Sequence, residues 1–199
     1  MLFSLQEILD IVIMTLAVGF IFKDIFAPRR PVLNPDNYDP VAHYRGLGRK
    51  YDLGGFVFGM MVAAPAVLFH ELGHKLVAIS YGMSAEFHAA YFWLALGVIL
   101  KLLNFGFIFF VPAYVSIIGS STPFASAMTA FAGPAVNLTL FLITFLLLKS
   151  RSFVKNNRKY VALLFITSRI NLFLFIFNML PIPMFDGFKV YSGLIGAFF

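Results

Sequence analysis

Long apolar runs alternate with short polar breaks along this chain, and the breaks are rich in proline, glycine and aspartate. The first run covers residues 8–26 and ends at a polar stretch, residues 23–55, read as a loop. The second run covers residues 54–80; at a helical rise of about 1.5 Å per residue it reaches about 40 Å, enough to cross a bilayer. Residues 89–103 suit a shorter helix. "FGFIFFVPAYVSI" then favours extended structure, with Pro112 near its middle, and predicts a hairpin or re-entrant piece near residues 105–118. "GSSTPFAS" reads as a turn, residues 131–148 as another span, and "KSRSFVKNNRKY" as a basic loop. Residues 160–180 make a further span, which Pro181 and Pro183 end because neither can donate a backbone hydrogen bond. The tail after Gly187 is too short to cross a bilayer. The pattern predicts an all-α polytopic membrane protein with about five to six transmembrane helices, a single integral membrane domain over residues 1–199.

Composition agrees: 60% of residues are hydrophobic, 12% are charged and mean hydropathy is +0.88, against about a quarter charged in soluble domains. Without cysteine, disulfides and thiolate metal sites are excluded. The net charge of +6 comes mainly from two loops beside spans, so orientation and anionic headgroups account for it better than nucleic acid does. The first run lacks the basic leader and cleavage site of a signal peptide and is expected to be retained.

Against this background "FHELGHK" stands out, because it puts His70, Glu71 and His74 in the far third of the second span. Histidines at i and i+4 share one helix face and can grip one ion together, while the intervening glutamate can take a proton from metal-bound water. Ionisable groups in a bilayer cost roughly 2.5–3.5 kcal/mol each on insertion scales, so three silent ones would be unusual. One zinc ion is the expected cofactor, and catalytic zinc needs a third protein ligand. Of nine carboxylates, six lie in the first helix or the loop after it, and Glu71 has its own role. Asp186, set where Pro181 and Pro183 break a long apolar helix, is the best candidate; His88 and Glu86 compete by closeness in sequence.

"HELGHK" in one span, "AGPAVN" opening a later one and "NMLPIPMFDG" ending a third together resemble the site-2 protease family of intramembrane zinc metalloproteases, and "SYGMSAEF" resembles archaeal and bacterial members. The likeness covers residues 54–190, the expected catalytic core. It implies that His70, His74 and Asp186 bind zinc, that Glu71 is general base and then acid, and that Asn178 holds the substrate backbone. Gly133, Pro134 and Asn137 match the family's GPxxN element beside the active site, with Asn137 a further candidate substrate contact; Gly187 completes the aspartate motif. Transmembrane proteins in a prokaryotic cell membrane are the implied substrates, the bilayer is the implied surroundings, and no nucleic acid is involved. By the positive-inside rule the two basic loops put the metal nearer the exterior, whereas the resemblance implies a metal nearer the cytosol.

Other functions fit less well. A zinc transporter needs successive sites along a path, and only His43 and His88 lie outside the motif. A catalytically silent relative usually carries a damaged HExxH, which is intact here. Membrane zinc proteases that use a downstream glutamate as third ligand are excluded, since no glutamate follows Glu86.

Overall fold

The computed structural model describes residues 3–24, 53–105 and 111–198. Helix α1 (Leu5–Phe22) opens on a capping box, in which the Ser4 side chain accepts from the Glu7 backbone and the Glu7 side chain accepts from the Ser4 backbone. Helix α2 (Leu53–Ser80) is followed by strand β1 (Ser84–Ala89), helix α3 (Tyr91–Leu102) and strand β2 (Ala113–Ile118). Then come α4 (Pro123–Lys149), the short α5 (Arg151–Asn156), a 3-10 turn (Arg158–Tyr160), α6 (Val161–Asn178) and α7 (Asp186–Phe198). Among the described residues four helices are long and apolar enough to cross a membrane: α1, α2, α4 and α6 with its preceding turn. Helices α3 and α7 are too short to cross, as their lengths in the sequence indicated, and the mostly helical architecture is the one expected.

One boundary differs from expectation. Helix α4 starts at Pro123, inside the expected turn: Thr122 caps it by accepting from the Ala125 N–H, and proline suits the first position. Pro134 is therefore an interior proline rather than a helix opener. Strand β2 pairs antiparallel with β1, on the far side of α3 in sequence; the expected hairpin partner near residues 106–110 lies outside the described residues.

In the register of this pair Phe87 faces Val115 and Ala89 faces Ala113. One sheet face carries Phe87, Ala89 and Ala113 into a core with Met14 and Val18 of α1 and Ala63 and Ala64 of α2. The other carries Glu86, His88, Tyr114 and Ser116, as period-2 alternation requires. Helices α1 and α2 cross closely at Gly19 and Gly59; a Cβ on Gly59 would lie 3.0 Å from the Gly19 carbonyl oxygen. Helices α2 and α4 run antiparallel, with Ala66 beside Asn137 and His74 beside Thr129. They are equally close at Gly73, where a Cβ would meet the Ala132 carbonyl oxygen at 2.8 Å. Helix α6 packs on α4 through Asn171, and the turn after it brings Asp186 back to α2.

Candidate metal centre

One helical turn separates His70 and His74, and their rings meet edge to face with centroids 4.7 Å apart. Asp186, first residue of α7, points at both. The Nε2 atoms are 3.1 Å apart, and Asp186 Oδ2 lies 3.2 Å from that of His70 and 3.3 Å from that of His74.

The surrounding hydrogen bonds settle where the ring protons sit. Asn137 is fully buried; its amide nitrogen donates to the Ala66 carbonyl at 3.0 Å and to Asn171 Oδ1 at 2.9 Å. A carbonyl can only accept, so Ala66 orients the amide and leaves Asn137 Oδ1 facing His70 Nδ1 at 2.6 Å. His70 Nδ1 therefore carries the proton. His74 Nδ1 donates to the Thr129 carbonyl at 2.8 Å by the same logic. With Nδ1 committed on both rings, each imidazole turns its Nε2 toward the Asp186 carboxylate oxygen. When both rings are neutral, three acceptors converge there, an arrangement that favours a bound cation.

The spacing suits one. A tetrahedral ion with ligands at about 2.0–2.1 Å has ligand-to-ligand edges of about 3.3–3.4 Å, and the observed 3.1–3.3 Å is close. Two imidazoles and one carboxylate, each imidazole held by a second partner, match a donor set that zinc uses when three protein groups hold it. The Asp186 side chain is 20% exposed, against 8% and 9% for the two imidazoles.

Helix α4 forms one wall. A Cβ on Gly133 would lie 2.4 Å from His74 Nε2 and 2.7 Å from His70 Nε2, so only glycine lets the α4 backbone come this near. Pro134, next to it, is buried. Glu71 is buried within electrostatic reach of both imidazoles, Asp186 and Lys189, and makes no hydrogen bond among the described residues. Its carboxylate lone pairs are thus uncommitted among the described residues.

Asn178 is the last residue of α6, half-buried, with no side-chain hydrogen bond among the described residues. Pro181 and Pro183 lie exposed in the turn after it. Gly187 packs on that turn, where a Cβ would sit 2.5 Å from the Met179 carbonyl oxygen, and the Tyr191 hydroxyl donates to the same carbonyl. The competing ligands stay apart from this group: Glu86 is 71% exposed on β1, and His88 is near Asp10 at 3.8 Å. Arg169 is exposed and lies over the Phe165 ring. Sequence reasoning gave Asn171 and Thr129 no part in the site. An amide inside an apolar span was the available signal for Asn171; the Thr129 contribution is a backbone carbonyl, which no side-chain pattern announces.

The chain is 37% identical over 189 residues to a protein of Methanocaldococcus jannaschii named "Putative zinc metalloprotease", covering 94% of this chain and 84% of that one. No family model and no solved structure matches it.

Proposed function

The chain belongs to the same family of zinc metalloproteases as this Methanocaldococcus protein, and on that premise we propose that it is a multi-pass intramembrane endopeptidase of the site-2 type, cutting transmembrane segments of other proteins in a prokaryotic cell membrane. The observation that carries this reading is the convergence of His70 Nε2, His74 Nε2 and Asp186 Oδ2 within the span of one metal ion, on a chain with helices of spanning length.

His70, His74 and Asp186 would hold the zinc ion. When bound, zinc supplies an acidified water and polarises the scissile carbonyl. Glu71 takes the proton of the attacking water on its free carboxylate oxygens and returns it to the leaving amine nitrogen. Asn137 and the Thr129 carbonyl keep the two imidazoles in the tautomer that points Nε2 inward. Gly133 leaves room for the reacting groups against α4.

A substrate helix buries its peptide bonds in its own hydrogen bonds, so it must unwind before cleavage. The outward-facing amides of Val115 and Ile117 on β2 offer an edge to which an unwound segment adds as a strand. The Asn178 amide, uncommitted at the end of α6, holds its backbone near the metal.

Bound zinc and cleavage of a model transmembrane segment in detergent, measured for wild type, Glu71→Gln and Asp186→Asn, test the reading. Glu71→Gln is expected to keep its zinc and lose cleavage, and Asp186→Asn to lose affinity for zinc. Full activity in Glu71→Gln would sink the mechanism.

A further inference from the structure

Helix α1 carries none of the motif residues, yet Glu7 is 4% exposed and Asp10 1%, and Lys75, the residue after His74, is 2% exposed. Buried charges are costly unless donors surround them. Here they do. Glu7 Oε1 accepts the Phe87 N–H at 2.7 Å and the Lys75 ammonium, while Oε2 accepts the Ser4 N–H at 2.8 Å. Asp10 Oδ2 accepts the Ala89 N–H at 3.2 Å, and Oδ1 takes the Gln6 amide at 3.0 Å and the Tyr91 hydroxyl.

Two periodicities meet in these contacts. Residues three apart on a helix share a face, and residues two apart on a strand present their amides to the same edge. Glu7 and Asp10 thus stand where a third strand would pair and occupy the outer edge of β1. The outer edge of β2, with the amides of Val115 and Ile117, has no such partner among the described residues. Through Lys75 the Glu7 carboxylate also reaches α2, one residue beyond a metal ligand. The Glu7 carboxylate thus ties α1, the β1 edge and α2 together at one point.

We propose that Glu7 and Asp10 are positioning residues for proteolysis: they fix the two-stranded sheet beside the metal-bearing helix and direct an extended peptide to the β2 edge. This rests on the reading that substrate adds to β2 as a strand.

The test uses the full-length, zinc-loaded protein in detergent and compares wild type with Glu7→Ala, Glu7→Gln and the double variant Glu7→Gln/Lys75→Met. Zinc content, amide hydrogen exchange at Phe87, and KM and kcat on a model transmembrane segment are read for each. Glu7→Ala is expected to keep one zinc per chain and to exchange the Phe87 amide about tenfold faster, the factor that loss of one hydrogen bond to a charged acceptor gives. Its KM should rise severalfold with kcat little changed, and Glu7→Gln, which keeps an acceptor oxygen, should restore most of both. The double variant keeps the Phe87 acceptor without a stranded charge and cuts only the tie to α2, so it should protect Phe87 and still raise KM. It carries the test if Glu7→Ala fails to fold. Wild-type KM in the double variant, or unchanged Phe87 exchange in a folded Glu7→Ala, would overturn the proposal. A wild-type protein that binds zinc and cleaves nothing would overturn the protease reading instead, and the positioning role with it.

Discussion

Replacing Asn137 with alanine separates two roles for this residue, contact with substrate and control of the metal. The side chain is fully buried, and its three hydrogen bonds go to His70, Ala66 and Asn171 at 2.6, 3.0 and 2.9 Å. Both amide hydrogens are thereby used, and one lone pair of Oδ1 is committed to His70. Alanine removes the acceptor that keeps the proton on His70 Nδ1, so the imidazole can turn or change tautomer and present N–H to the ion. Loss of such an outer partner typically costs about 10–100-fold in metal affinity. It also strands Asn171 Oδ1 without its donor, at about 1–3 kcal/mol for a buried group left unpaired, whereas the Ala66 carbonyl keeps its partner within α2. Asn137→Asp keeps the acceptor toward His70 and loses both donors, so it should lose stability while binding zinc better than alanine does. Competition with a chromophoric chelator in detergent gives the zinc Kd, and thermal melting of the zinc-loaded protein gives the stability. Wild-type zinc affinity in Asn137→Ala, with only KM raised, would refute this account and make Asn137 a substrate ligand.

Gly133→Ala should abolish zinc binding, since its methyl would sit 2.4 Å from His74 Nε2; zinc content after dialysis checks this, and a fully loaded variant would contradict the close approach of α4. Gly73→Ala pushes a methyl to 2.8 Å from the Ala132 carbonyl oxygen and should cost about 1–3 kcal/mol as an overpacked contact, read as a lower melting temperature with the zinc ligands intact. A strong chelator should remove cleavage and added zinc should restore it in wild type, whereas Glu71→Gln should regain the metal without the activity.

Local pattern made much of this fold legible, and long-range contact hid the rest. Helix α2 was readable almost to the residue because a long apolar run sits between Gly54 and the glycine-containing turn at Gly82. The two histidines announced themselves by spacing alone. Asp186 emerged because the other carboxylates were placed elsewhere, and the structure sets its oxygen near both imidazoles. The early start of α4 was written in Thr122-Pro123 but outweighed by the run of serines and glycine before it. Strand β1 had its alternation in Ala85, Phe87 and Ala89, though six residues are too few to stand out beside long spans. Glu7 and Asp10 looked like ordinary acids of a first helix, because the amides that they accept lie about eighty residues away.

The chain has no cysteine, yet the site joins His70 to Asp186 across a sequence separation of 116. A bound ion therefore acts as a staple on a large loop. Closing such a loop in advance removes freedom mainly from the unfolded chain, and the gain grows slowly with loop size. Besides its chemistry, the metal should then work as a clasp for the C-terminal end of the protein. Stripping it ought to release α7 from the bundle before the helices that carry the histidines come apart.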